Sequence, residues 1–356
     1  MAGPMQCREQ RRMVSHILLW ILPIYIRSYC WLLSWFVGVG FVTAQNRSPL
    51  NCDQIQPGFC GPYFSIVGAM KCGTNAIAEF ISKHPYIKHQ NFENFFFSGT
   101  GGFPKFHEPT FDDTSIDPLP GALQRYAKVI GVNTDWNTSF TYDKSPGYLP
   151  HLLAPKRMAK ALPHVKIIAI VCDPVEKFRS MYYHYLRINK MERARGRAFY
   201  QEREMIDALP YDLFVRWCLR VKNDNEEATG CAFLPGGFYE PGLSRWLEAV
   251  GRERIYVVDS HKLKTDPQAV MKDVLSFLGL REELYPCVHE EAVYQNAMKE
   301  EAKTLNDTDT TILLRTAYKN TYRYLRQEWG IDWVSAQSPR NNNQKDKLIS
   351  CRSNLY

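Results

Sequence analysis

Phe64-Ser65-Ile66-Val67-Gly68-Ala69-Met70-Lys71-Cys72-Gly73-Thr74-Asn75 is the stretch on which the reading of the fold turns. Tyr63 to Val67 is a short apolar run, which predicts a buried strand. From Thr74 to Lys83 the apolar residues Ala76, Ile77, Phe80 and Ile81 recur at helical spacing, which predicts a helix. Between the two lies a turn bounded by Gly68 and Gly73, with Lys71 inside it. A strand, a glycine-bounded turn and a helix gather backbone N–H groups and a helix N-terminus around one anionic group, usually a phosphate. In the loop of nucleoside triphosphatases a Lys-Ser/Thr pair follows the second glycine. Here Lys71 precedes Gly73, so hydrolysis of ATP or GTP is not the expected chemistry.

Outward from this unit the alternation continues. Lys128 to Val132, Lys166 to Val171 and Arg254 to Asp259 read as further buried strands. Thr74 to Lys83, Pro155 to Leu162, Pro174 to Leu186, Pro210 to Val221, Pro241 to Val250 and Pro267 to Leu278 read as helices, several with Pro where a first turn tolerates it. Thr310 to Trp329 reads as one long amphipathic closing helix, with a polar tail after Trp333. The class is α/β, with a mainly parallel central sheet flanked by helices. The charged run Asn189 to Asp207 reads as a solvated linker or helix face, or as a surface for a polyanion.

Composition narrows the function. A hydrophobic content of 45% with 23% charged residues suits a packed core and excludes a disordered or fibrous chain. The net charge of +7, from 44 basic and 37 acidic residues, favours an anionic partner. No clustered basic stripe accompanies it, so nucleic acid is not the expected partner.

The N-terminus indicates a compartment. Arg8, Arg11 and Arg12 precede Ile17 to Ala44, a stretch that is apolar apart from Arg27 and a few small polar residues. At about 1.5 Å per helical residue it exceeds a bilayer core of about 30 Å. The positive-inside rule then puts residues 1–16 in the cytosol, 17–44 in the membrane as a signal anchor, and the rest in the lumen, a single-pass type II arrangement. The competing reading is a signal peptide cleaved after Val42-Thr43-Ala44. On either reading the eight cysteines beyond residue 45 meet an oxidising compartment, where some should be bridged. Cys52 with Cys60 and Cys218 with Cys231 are the nearest pairs, and spacing alone does not choose among the pairings. Asn46, Asn137 and Asn306 open glycosylation sequons.

Five segments, in order, carry a family resemblance. Val67 to Thr74 with His84-Pro85 resembles the 5′-phosphosulfate loop of Golgi-type carbohydrate sulfotransferases, which use 3′-phosphoadenosine 5′-phosphosulfate (PAPS). Glu93-Asn94-Phe95-Phe96-Phe97 is similar to their Glu-x-x-Phe-Phe. Lys144-Ser145-Pro146-Gly147-Tyr148 is similar to their Lys-Thr/Ser-Pro-x-Tyr, and Asp173-Pro174 with Ser180 and Tyr182 to their 3′-phosphate segment. Ile255 to Asp259 and Phe277 to Leu280 resemble their last strand and helix. The wording of the loop, with Tyr318, Asn320 and Leu325, most resembles the N-acetylgalactosamine 4-sulfate 6-O-sulfotransferase group, with the heparan sulfate 3-O-sulfotransferases next. The resemblance implies a P-loop-like sulfotransferase domain over 62–333, after a stem at 45–61 and before a polar tail at 334–356. It implies PAPS as donor and a glycan acceptor, of chondroitin or dermatan type, at the Golgi membrane.

The chemistry asks for such residues in its own terms. Moving a sulfuryl group to a sugar hydroxyl is an in-line displacement in which cations offset charge growing on the leaving oxygen. Lys71 suits that role, and Lys144 suits a contact to transferring sulfate or acceptor. The hydroxyl must lose a proton, which a carboxylate can take, and the resemblance implies Glu93 as that base. Lys71, Cys72, Gly73, Thr74, Asn75, Cys172 and Ser180 are the implied donor contacts, with Thr74 and Asn75 also readable as a helix cap. No metal is implied. Two departures stand against full transfer of function. Cys172 occupies the place of an Arg that grips the 3′-phosphate, which leaves Lys177 or Arg179 to supply charge, or Cys172 in a bridge beside the donor. The Lys-Gly-x-x-His loop of the heparan-type enzymes has no counterpart, with Lys299 or Lys303 the nearest substitutes. The alternative function is a catalytically impaired relative that binds sulfated glycans.

Overall fold

The computed structural model describes residues 53–56, 59–88, 92–99, 109–130, 139–195, 201–224, 231, 233–286 and 308–333. The anchor at 17–44, the tail at 334–356, Lys299, Lys303 and all three sequon asparagines lie outside these residues. Among the described residues no helix is long and apolar enough to cross a membrane.

Two short strands, β1 (Gln54–Gln56) and β2 (Phe59–Cys60), pair antiparallel. They precede a four-stranded parallel sheet made of β3 (Phe64–Gly68), β4 (Tyr142–Lys144), β5 (Lys166–Val171) and β6 (Ile255–Asp259), in the order β4-β3-β5-β6. Phe64 pairs with both Tyr142 and Lys166, and Ile167 with Ile255. Successive side chains of a strand point to opposite faces, and both faces are covered here. Ile167, Ala169 and Val171 enter one apolar cluster, and Ile168 and Ile170 the other.

Helices α1 (Thr74–Ile81), α8 (Ser260–Thr265) and α9 (Pro267–Leu278) supply buried residues to the second cluster, among them Ile77, Phe80, Leu263, Met271 and Val274. The first cluster is built from α2 (Ala122–Ile130), α3 (Ala154–Ala161), α4 (Pro174–Arg193), α6 (Tyr211–Asp224) and α7 (Tyr239–Val250), with α5 (Gln201–Ala208) contributing Ile206. Parallel strands start on one edge and end on the other. The loops after β3, β4 and β5 therefore all open at the carboxyl edge, where ligands of open α/β sheets bind.

Three sequence expectations are corrected. Of the expected strand from Lys128 to Val132, the described Lys128, Val129 and Ile130 instead end α2, whose buried Ala122, Tyr126, Ala127 and Ile130 fall at helical spacing. The strand beside β3 is instead the three-residue Tyr142–Lys144, hidden in the sequence by two charged residues. The closing helix is two, α10 (Thr308–Ala317) and α11 (Lys319–Trp329). They part at Tyr318, whose hydroxyl donates to the Leu234 carbonyl at 3.0 Å.

Candidate active site

The turn after β3 is tight. Gly68 has φ 149°, and a Cβ there would meet the Pro146 carbonyl oxygen at 2.7 Å, so only glycine lets the two loops approach. Lys71 takes a left-handed conformation at φ 68°, and Gly73 another at φ 100°. Gly73, not Thr74 or Asn75, is the N-cap of α1 and offers no capping side chain. Thr74 and Asn75 are the first two helical residues, so the open N–H groups of the first turn face the loop.

Lys144 ends β4, the strand next to β3, and its Nζ donates to Asn75 Oδ1 at 2.6 Å. Burial lowers the Lys144 pKa while the Glu93 carboxylate holds it up. The same pair acts in reverse on Glu93: burial raises its pKa, and Lys144 pulls it down. Burial prevails at both, so Glu93 is a stronger base than a solvated carboxylate. The structure thus brings Glu93, Lys144 and Asn75 together.

A buried polar net fixes the Glu93 segment. Asp143 is fully buried, and its carboxylate accepts from Tyr126 OH at 2.9 Å, Ser145 Oγ at 2.9 Å and Tyr148 OH at 3.3 Å. Ser145 Oγ in turn accepts from the backbone N–H of Phe95 at 3.0 Å and of Asn94 at 3.3 Å. Tyr148 OH also donates to Asn94 Oδ1 at 2.9 Å. Phe95 carries a positive φ of 55°, a conformation uncommon for a side chain of this kind. Desolvation pushes the Asp143 pKa up to about 6 against these hydrogen bonds. Sequence reasoning passed over Asp143 and Tyr126. The one signal for them was position, since Asp143 directly precedes the Lys144 motif.

Across the sheet, β5 leads into α4. Cys172 is joined to Cys72 by a disulfide, with Cα atoms 5.2 Å apart and a sequence separation of 100. Of the two uses open to Cys172, the bridge is the one found, and its thiol is not free to meet a ligand. Tyr239 OH donates to the Cys172 carbonyl at 2.9 Å and lies 3.3 Å from Cys72 Sγ. Cys218 and Cys231, one of the two nearest pairs in sequence, are bridged, and Cys60 is disulfide-bonded as well. Asp173 caps α4, accepting from the Val175 N–H at 2.9 Å and from Tyr322 OH at 2.8 Å.

Along α4, Ser180, His184 and Arg187 are spaced four and three residues apart and share one face. His184 titrates far below its ordinary range, at about 4, because burial and the nearby Lys71 and Arg187 disfavour its cation. Burial and Arg187 likewise lower Lys71. Lys71 and Arg187 thus put positive charge on this face of the site. His184 and Arg187 were not foreseen, although the charged run that the sequence marked begins two residues later. Among the described residues no group of three His, Cys, Asp or Glu side chains is placed to hold a metal ion.

Comparison with known proteins adds three findings. Residues 62–350 match the model of the sulfotransferase domain family. The human bifunctional heparan sulfate N-deacetylase/N-sulfotransferase 2 is 28% identical over 233 residues, 65% of this chain and 22% of that protein. The Drosophila melanogaster bifunctional enzyme is 25% identical over 236 residues, 65% of this chain and 20% of its own length. The match thus spans about a fifth of these relatives. Among solved structures, a sulfotransferase from Alicyclobacillus acidocaldarius superposes with a TM-score of 0.54 at 22% identity, covering 78% of this chain and 98% of that one, a likeness of fold.

Proposed function

Because the chain belongs to the sulfotransferase domain family, we propose that it transfers a sulfuryl group from PAPS to a hydroxyl of a glycosaminoglycan of chondroitin or dermatan type. The observation that carries this reading is the meeting of Glu93, Lys144 and Asn75 beside the loop of Lys71. The donor fits what is there: an open helix N-terminus at Gly73, a glycine-tight loop, and the cations of Lys71 and Arg187. When bound, it supplies an activated sulfuryl group and a phosphate leaving group.

The residues then divide the work. Glu93 accepts the proton of the acceptor hydroxyl as its oxygen bonds to sulfur, a contribution of about 10² to 10⁴ in rate. Its raised pKa makes it the better base, and the Asp143 and Ser145 net keeps it aimed. Lys71 faces the charge that grows on the departing phosphate oxygen. Lys144, held by Asn75, orients the transferring group. Gly73, Thr74 and Asn75 offer backbone N–H groups to the 5′-phosphate, and Ser180 faces the 3′-phosphate. Cys72 and Cys172 shape the site through their bridge. The acceptor reading rests on the sequence resemblance and on the net basic charge, and heparan chains are its rival, since the curated relatives act on heparan sulfate by their names. The anchor at 17–44 and the oxidised cysteines favour a Golgi, single-pass type II setting with a lumenal catalytic domain.

The test is PAPS-dependent sulfation by the full chain of chondroitin, dermatan and heparan acceptors, beside Glu93→Gln and Lys71→Ala. Expected is labelling of chondroitin or dermatan that falls at least a hundredfold in Glu93→Gln and vanishes in Lys71→Ala. Polyanion binding with no turnover by the wild type, indifferent to Glu93→Gln, would replace this reading with the glycan-binding alternative.

A further inference from the structure

Arg157 is a buried cation to which the mechanism gives no part. It sits on α3, only 1% exposed, and its guanidinium donates to carbonyls from two stretches of chain. One is the Phe97 carbonyl at 3.2 Å; the others are those of Asp112 at 2.7 Å, Asp113 at 3.4 Å and Ser115 at 2.8 Å. The Phe111 ring lies against it, with the centroid 4.5 Å from Cζ. A Cβ on Gly99 would come within 2.7 Å of Nη1, so glycine there leaves the guanidinium its place. Five N–H donors in a rigid fork can join two stretches in this way, whereas a lysine ammonium gathers its three donors on one atom.

One of the stretches that Arg157 joins is the segment that carries Glu93. From Asn94 to Gly99 each backbone N–H has a partner. Ser145 Oγ takes those of Asn94 and Phe95, Asn94 Oδ1 that of Phe96, and Tyr148 OH that of Phe97. The carbonyls of Phe95 and Phe96 take those of Ser98 and Gly99. The carbonyls are held from outside as well: Phe95 accepts from Ser98 Oγ at 2.6 Å, Phe96 from Thr110 Oγ1 at 2.6 Å, and Phe97 from Arg157. Buried backbone whose polar groups are all committed has little freedom to move. The β4 side grips this segment at its first two residues, while Thr110 and Arg157 grip it at Phe96 and Phe97. With the second grip gone, the chain can swing about the first.

Building on the reading of Glu93 as the base, we propose that Arg157 is a positioning residue for Glu93. Through the Phe97 carbonyl it ties the Glu93 segment to the 112–115 stretch and to α3, and so fixes where the carboxylate points. Thr110 shares the task through the Phe96 carbonyl. Both act through the backbone of the segment.

The experiment is PAPS turnover on chondroitin, dermatan and heparan chains as a function of pH, with calorimetric affinity for 3′,5′-adenosine diphosphate, on the full chain as wild type, Arg157→Lys, Thr110→Val and Glu93→Gln. Expected is a kcat lower by about tenfold to a hundredfold in Arg157→Lys. In Thr110→Val it should fall by about threefold to tenfold. Nucleotide affinity should stay at the wild-type value in both. Burial raises the Glu93 pKa, so a slackened segment that admits water lowers it, and the acidic limb of kcat should move to lower pH. Thr110→Val exchanges one hydroxyl for a methyl and decides the matter if Arg157→Lys does not fold. Wild-type kcat and acidic limb in a folded Arg157→Lys, or in Thr110→Val where Arg157→Lys does not fold, would overturn the assignment and leave the Glu93 reading intact. A loss of nucleotide affinity as large as the loss of kcat would overturn it too. Wild-type turnover by Glu93→Gln, or no turnover by the wild type on any of the three chains, would sink the reading of Glu93 as base, and this assignment with it.

Discussion

The two flanks of the carboxyl edge are held by opposite means. On the β4 flank, Asp143, Ser145, Tyr126, Tyr148 and Asn94 form a net of buried hydrogen bonds around the Glu93 segment, and every link depends on protonation and geometry. On the β5 flank, one covalent bond between Cys72 and Cys172, with Tyr239 packed against it, does the fixing. The flank that carries Glu93 uses many directional contacts, each adjustable by a hydroxyl. The flank from which α4 starts uses a fixed frame. Polar nets confer aim, and covalent frames confer spacing.

Cutting the frame is the strongest challenge to that contrast. Cys72→Ser with Cys172→Ser opens a loop of 100 residues, and the loss of stability should be about 4 kcal/mol by denaturant unfolding. A loss below about 1 kcal/mol would mean that packing around Tyr239 already fixes the flank, and the contrast fails.

The second challenge uses pH. The Asp143 pKa is raised in the fold, from 3.8 to about 6, so the folded chain binds the extra proton between those values. Its contribution to stability is full below about pH 4 and is lost as pH rises through 6, by at most about 3 kcal/mol. Comparing wild type with Asp143→Asn from pH 4 to 7 should show that slope in the wild type alone. Parallel curves would show that the net does not depend on the charge of Asp143.

The smallest effect sharpens the picture. Ser145→Ala strands the N–H groups of Asn94 and Phe95, at about 2 kcal/mol. It should lower kcat while leaving the affinity for 3′,5′-adenosine diphosphate at the wild-type value. A change in affinity instead of kcat would mean that the net serves the donor rather than Glu93.

What the sequence made legible follows the same divide. The unit from Phe64 to Ile81 was readable because strand, glycine turn and helix are local, and Lys166–Val171 and Pro267–Leu278 have the boundaries their patterns predict. Val129 and Ile130 misled because a short apolar run fits a strand or the end of a helix equally well, and only burial against Tyr126 and Ala127 decides. Tyr142–Lys144 went unseen because a strand of three residues has no periodicity to show. The break at Tyr318 comes from a distant contact, its hydroxyl reaching Leu234, which no helical pattern encodes. Glu93 and Lys144 were legible as motifs, yet their meeting with Asn75 depends on β4 lying beside β3. The Cys72–Cys172 bridge spans too much chain for spacing to reveal.

That bridge also makes a closed ring of the chain from 72 to 172, and Glu93 and Lys144 both lie on the ring. A protease cut anywhere between those cysteines would leave two pieces still tethered, each carrying part of the site. After a cut between Glu93 and Cys172 the clipped protein would migrate as one species until a thiol reductant is added, and Glu93 would then lie on a different piece from α4. The ring is a form of damage tolerance.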